Sequence, residues 1–177
     1  MSESQQLEYA YLAGGCFWCM EAAYLRVPGV VEVVNGYMGG SKQNPGYEEV
    51  CGGGTGHAET IRVGYDPSRL GYADILELFW KLHDPTTLDR QGADLGEQYR
   101  SVIFFVDEGQ KSTAEGSLRS AQNDFASPIV TELVQASRFW PAEDYHQQYF
   151  DLHPNAAYCR AVIAPKLRKA GLSAQPL

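Results

Sequence analysis

The sequence predicts an α+β fold, a two-layer sandwich in which helices pack against one mixed or largely antiparallel sheet. Three observations predict it. Stretches of strand and helix character are interleaved along the whole chain. At least one strand passes to the next through a loop alone, a connection that suits antiparallel neighbours. No internal repeat, low-complexity run or linker divides the 177 residues, so they are expected to form a single domain with its core over about residues 7–170.

The elements follow in order. Residues 7–13 read as a strand, with Leu7, Tyr9 and Tyr11 alternating before Gly14-Gly15. Residues 16–26 read as a helix rich in Met, Glu, Ala and Leu, stopped by Pro28-Gly29. Valine-dense residues 30–37 form a second strand, and residues 39–56 a long glycine-rich loop of the kind that usually carries function. Residues 57–65 are a third strand, closed by Asp66-Pro67. Residues 72–83 are a helix with Ile75, Leu76, Leu78, Phe79 and Leu82 on one face. A second long loop covers 84–99. Residues 101–107 are a fourth strand, apolar enough to be central; 108–124 is a helix, and 129–136 a fifth strand. Two C-terminal helices, 143–152 and 155–169, are separated by Pro154, with a frayed tail from Gly171. The expected architecture is a ferredoxin-like plait.

A formal net charge of −8 argues against a general nucleic-acid binder and against docking on an anionic membrane. No apolar run approaches the about 18 residues of a membrane span. The polar stretch before the first strand has neither a basic nor an apolar segment of a secretory signal, so a cytoplasmic location is expected. A chain of this size does not need its four cysteines, Cys16, Cys19, Cys51 and Cys159, as staples, which turns attention to redox or metal chemistry. Zinc would need two further ligands beside Cys16 and Cys19. Cys51 and His57 are not at a compact ligand spacing, and no metal is expected.

The sharpest motif is Gly14-Gly15-Cys16-Phe17-Trp18-Cys19-Met20-Glu21. A cysteine where a strand turns into a helix faces unpaired N–H groups and the positive end of the dipole, so a lowered thiol pKa is expected at Cys16. Phe17 and Trp18 either wall an apolar pocket beside the nucleophile or are core residues of the helix. Cys16-x-x-Cys19 also has the spacing of a disulfide oxidoreductase pair. A binding module with an aromatic pocket is a further reading of the same residues.

These residues resemble the signature of the A-type peptide methionine sulfoxide reductases, Gly-Cys-Phe-Trp followed by Glu21. Further matching runs are Gly36-Tyr37-x-Gly39-Gly40, Tyr47-Glu48-Glu49-Val50-Cys51, Thr55-Gly56-His57-Ala58-Glu59, the block from Asp89 to Ser101, and Phe139-Trp140-Pro141-Ala142-Glu143-Asp144-Tyr145-His146-Gln147. The resemblance runs from about Tyr9 to Lys169. It implies reduction of methionine-S-sulfoxide, free or in proteins, as a repair reaction under oxidative stress. Cys16 is implied as nucleophile, Glu59 as general acid, and Tyr47 and Tyr99 as donors to the sulfoxide oxygen. Asp94 is implied as an acid of the same pocket, and Phe17 and Trp18 as the seat of the methyl group. Glu59 alternates with Ile61 on a strand face expected to be buried. The resemblance further implies a cysteine sulfenic acid, then an intramolecular disulfide recycled by thioredoxin (or dithiothreitol), with no bound cofactor. The resolving thiol stays open between Cys159, Cys19 and Cys51: many members carry glycine at the position of Cys19, and the glycine-rich tail cysteine of others is missing. Nothing demands more than a monomer.

Overall fold

A computed structural model describes residues 6–177; the polar stretch expected ahead of the first strand falls largely on residues 1–5, outside the described residues. In chain order the elements are β1 (Glu8–Gly14), α1 (Phe17–Leu25), β2 (Val30–Met38), α2 (Tyr47–Cys51), β3 (Ala58–Tyr65), α3 (Tyr72–Leu82), β4 (Arg90–Gln91) and β5 (Asp94–Leu95). They continue with β6 (Ser101–Phe105), α4 (Glu108–Ala121), β7 (Glu132–Gln135), β8 (Trp140–Pro141), α5 (Tyr149–Leu152) and α6 (Ala164–Lys169).

The main sheet runs β7-β6-β1-β3-β2-β8. β7 lies parallel to β6, and every other neighbouring pair is antiparallel. β1-α1-β2 and β3-α3-β6 are two strand–helix–strand units interlocked so that β1 and β3 are central, which is the ferredoxin-like plait. The mixed α+β sandwich is therefore the observed fold. Alternation along the strands sorts the two faces. Ala10, Leu12, Val33, Tyr37, Ile61, Val63 and Ile103 pack under α1, α3 and α6. Ala13, Met38, Ala58, Val102 and Phe104 face the other way, beneath Tyr11, Ala136 and Phe139. Glu59 shares the parity of Ile61 and Val63, so the sheet itself aims its carboxylate at the helix layer.

Several sequence expectations are corrected. The glycine-rich loop holds α2, whose start is tied by Glu49 Oε1 accepting from Gly46 N at 3.1 Å and whose single buried side chain is Val50. The second long loop contains the β4–β5 hairpin and a 3-10 turn at Glu97–Tyr99. Gln91 braces it, its amide oxygen accepting from Asp84 N at 2.7 Å and its amide nitrogen donating to Asp84 O at 2.8 Å. The expected helix over 143–152 is a 3-10 turn, Asp144–His146, followed by the four-residue α5; a left-handed Gln148 (φ 53°) breaks it. The helix expected over 155–169 carries a widened π segment, Cys159–Ile163, before α6.

The tail from Gly171 is not frayed. Arg26 at the end of α1 donates to Ser173 O (2.7 Å), Gln175 O (2.7 Å) and Asp151 Oδ1 (2.6 Å), and Leu177 N donates to the same Asp151 oxygen at 3.1 Å. The Arg26 side chain is only 3% exposed. Among the described residues, no helix is long and apolar enough to cross a membrane.

Candidate active site

Gly15 sits at φ +91°, and a Cβ there would meet the Gln91 side chain at 2.6 Å. Only glycine lets β1 turn this tightly into α1 against the braced loop. The turn leaves Cys16 as N-cap of α1, 8% exposed. The first helical N–H, that of Phe17, is taken by Glu59 Oε1 at 3.1 Å. A residue 42 positions away along the chain is thereby fixed beside the cysteine.

Glu59 is 2% exposed. Burial pushes its pKa up to about 8 against the pull of the Phe17 N–H, with further upward pressure from Asp94 and Cys19. At neutral pH it is mostly the neutral acid. Tyr47 and Tyr99 lie in its field, and burial first, then neighbouring negative groups, raise both phenols well above their ordinary range. They remain O–H donors at any physiological pH. Tyr47 is occupied at rest: it hydrogen-bonds the exposed Cys51.

The expected low pKa of Cys16 is not found. Cys16 and Cys19 hydrogen-bond each other across the first turn of α1, as their spacing allows. Cys16 is raised by that bond, by burial and by the charges of Cys19 and Glu59, which outweigh the Trp18 N–H that points at its sulfur. Cys19 is lowered, chiefly by the hydrogen bond from Cys16 and also by Lys166. The helix end does act on Cys16, but the contact between the two thiols favours ionisation of Cys19 over that of Cys16.

Phe17 is fully buried, its ring 5.8 Å from Tyr37 and 5.3 Å from His146, so it is a core residue at the floor of the site and not an exposed wall. Trp18 is partly exposed. Its indole stacks on Tyr149 at 3.8 Å, and its Nε1 donates to His146 Nδ1 at 3.1 Å. Asp94 accepts from Tyr158 at 3.0 Å, and that phenol oxygen is 3.9 Å from Cys19 Sγ. Cys159 is fully buried at the start of the π segment, where it feels the charge of Cys19. Cys51 stands apart beside Tyr47. All four cysteines are free thiols. Among the described residues no cluster of His, Cys, Asp and Glu is disposed to hold a metal.

Sequence reasoning missed four supporting residues. Glu143 accepts from Tyr37 Oη (3.2 Å), Tyr47 N (3.2 Å) and Tyr145 Oη (2.9 Å), so it anchors the start of α2 and with it the Tyr47 phenol. His146 and Tyr149 hold Trp18. Tyr158 touches the thiol pair. Glu143 and His146 lie in the run from Phe139 to Gln147 and Tyr158 beside Cys159, but their contacts form only in the folded chain.

Two thiols in contact can take up an oxygen atom and then close to a disulfide, a two-electron change carried by sulfur alone. Beside a protonated carboxyl and two neutral phenols, that chemistry defines a thiol-dependent oxidoreductase acting on a polar oxygen. The sequence pattern of the peptide methionine sulfoxide reductases matches residues 8–175. The peptide methionine sulfoxide reductase MsrA of a Thermus thermophilus strain is 54% identical over 163 residues, 92% of this chain and 93% of that protein. That of Ralstonia nicotianae is 53% identical over 175 residues, 96% and 92% of the two chains. The reduced form of Mxr1 from Saccharomyces cerevisiae has a similar fold, with a TM-score of 0.83 at 30% identity over 90% of this chain and 92% of that one. Mxr1 in complex with Trx2 is similar in fold as well, with a TM-score of 0.59 at 21% identity over 84% and 88% of the two chains. The chain belongs to the peptide methionine sulfoxide reductase family, and is an oxidoreductase of that kind.

Proposed function

We propose that the chain acts as one catalytic domain that reduces methionine-S-sulfoxide, free or within oxidised proteins, with Cys16 as nucleophile and Glu59 as general acid. The observation that carries this reading is the buried Glu59 carboxyl, up to about 8 in pKa, tied to the N–H next to Cys16. Phe17 N–H engages Oε1, leaving Oε2 as the oxygen that carries the proton toward substrate. Tyr47 and Tyr99 supply neutral donors to the sulfoxide oxygen, whose negative charge grows as the S–O bond polarises. Trp18, held by His146 and Tyr149 above the Phe17 floor, receives the methyl group.

The proton of Glu59 answers the raised pKa of Cys16. A neutral Glu59 places no charge beside the thiol, and a protonated sulfoxide oxygen makes the sulfur a stronger electrophile, so a small thiolate fraction suffices. Attack yields methionine and a Cys16 sulfenic acid. Of the three candidate resolving thiols we infer Cys19: it already contacts Cys16 and ionises first, whereas Cys159 is enclosed and Cys51 is bonded to Tyr47. The resulting disulfide is opened by thioredoxin, a reading supported by the complex of Mxr1 with Trx2. No bound cofactor is needed for any of these steps, and free thiols in a working pair suit the reducing cytoplasm.

Reduction of the two methionine sulfoxide epimers with dithiothreitol tests the activity; turnover of the S epimer alone is expected, and turnover of neither would reject it. Under thioredoxin recycling, Cys19→Ser should stop after one methionine per chain while Cys159→Ser continues. The reverse pattern would transfer the resolving role to Cys159.

A further inference from the structure

The resolving step has a requirement that the two cysteines do not meet by themselves. Cys19 must carry negative charge while a hydroxide leaves Cys16, in a site where burial and Asp94 disfavour that charge and the stabilising Cys16 thiol has become a sulfenic acid. Lys166 helps from a distance, and Tyr158 is in direct reach of the sulfur. Its hydroxyl donates to Asp94 Oδ2 at 3.0 Å and lies 3.9 Å from Cys19 Sγ, and it is also within the reach of Cys16. A phenol has a single proton to donate, so it serves the carboxylate or the sulfur, but not both at once. Its ring is fixed edge-on to Trp18, 5.9 Å between centroids, so the hydroxyl can turn while the ring stays in place.

We propose that Tyr158 is a catalytic residue of disulfide closure: its hydroxyl turns from Asp94 to Cys19 and stabilises the attacking thiolate. This rests on Cys19 as the resolving thiol. The step balances as Cys16–SOH plus Cys19–SH giving the Cys16–Cys19 disulfide plus water. The S–O bond of the sulfenic acid breaks and the S–S bond forms. The Cys16 sulfur is reduced, the Cys19 sulfur is oxidised, and the proton lost by Cys19 leaves with the hydroxide as water. Burial, the first cause, and the surrounding negative groups keep the Tyr158 proton firmly on its oxygen, which suits a hydrogen-bond donor and not a proton source. With the hydroxyl turned to sulfur, the phenol also stands between Asp94 and the thiolate it would otherwise repel.

The test is Tyr158→Phe, which keeps the ring and its contact with Trp18. Enzyme reacted with one equivalent of methionine sulfoxide is quenched over time, with sulfenic acid trapped by dimedone and disulfides mapped by peptide mass spectrometry. Disulfide closure is expected to slow about tenfold relative to methionine formation, with trapped Cys16 sulfenic acid accumulating. The pH at which closure reaches half its maximal rate should rise by about one unit, because the thiolate has lost a donor. Closure of the Cys16–Cys19 disulfide at the wild-type rate and with the wild-type pH profile would overturn the role of Tyr158 and leave Cys19 in place. A wild-type disulfide that maps to Cys159 would instead overturn Cys19, and this inference with it. Slowed methionine formation with unchanged closure would move Tyr158 to the first step and also reject the proposal.

Discussion

Glu59→Gln is expected to lower the rate of methionine formation by about 10²-fold or more while the apparent affinity for substrate changes little. Glutamine keeps the size of the side chain and an oxygen to accept from Phe17 N, so the helix start and Cys16 stay where they are. What is lost is the proton. A sulfoxide oxygen leaving sulfur without one departs as a far poorer group, and the two phenols can stabilise its charge but not neutralise it. Single-turnover kinetics separate the outcomes: a slower chemical step at constant KM supports general acid catalysis, and an unchanged rate reassigns the proton donor. In the wild-type enzyme the same proton sets an alkaline limit. Activity should decline above about pH 8 as Glu59 ionises, and this limb should be missing in the variant.

The substitution also has a stability signature of opposite sign. Glu59 binds its proton more tightly in the folded chain, up to about 8, than at its ordinary value of 4.5. Stability therefore falls as pH rises from about 4.5 to about 8 and is fully reduced beyond it. Glu21, buried and pushed up to about 7, acts in the same sense over a narrower range. Each unit of displacement corresponds to about 1.4 kcal/mol, so removing the Glu59 acid relieves on the order of a few kcal/mol at alkaline pH. The variant should melt higher than wild type at about pH 8.5 and close to it at about pH 5. Loss of catalysis together with a gain in stability marks a carboxyl retained for function at a structural cost.

Cys16→Ser is expected to abolish turnover. Serine at this position is the favoured N-cap residue of a helix, and its hydroxyl can still meet the Trp18 N–H that points at the Cys16 sulfur. The variant is therefore expected to fold, and thermal melting equal to or above wild type checks that lost activity is not lost structure. Cys19 is not expected to substitute as nucleophile. It lies one turn further into α1, whereas the Glu59 carboxyl is tied to the N–H of Phe17, next to Cys16. Methionine formation in a single turnover, measured without any reductant, is the decisive reading; rates near wild type would sink the central assignment.

Much of the fold was legible because local chemistry and tertiary need agree. The alternation of β1 and β3, the glycine pair before Cys16 and the apolar face of α3 all serve the same core. The parity of Glu59 with Ile61 gave its buried face from sequence alone. Elements held by distant partners were not legible. α2 has only Val50 to bury and takes its place from Glu49 and from Glu143, 96 residues from Tyr47. The π segment at Cys159 and the left-handed Gln148 answer packing that no periodicity encodes. At the site, spacing gave the Cys16–Cys19 contact, but the order in which the two thiols ionise depends on burial and on Lys166, Asp94 and Tyr158, which converge only in the folded chain.

The grip of Arg26 on residues 173–175 changes what the C-terminal segment can do. A loose tail could swing a thiol or a docking motif across the mouth of the site. This one is fastened to the end of the very helix that begins at Cys16, with Asp151 sharing the knot. Mechanical load on the terminus, from a fused domain or a surface tether, would be transmitted along α1 toward the nucleophile instead of being absorbed by slack chain.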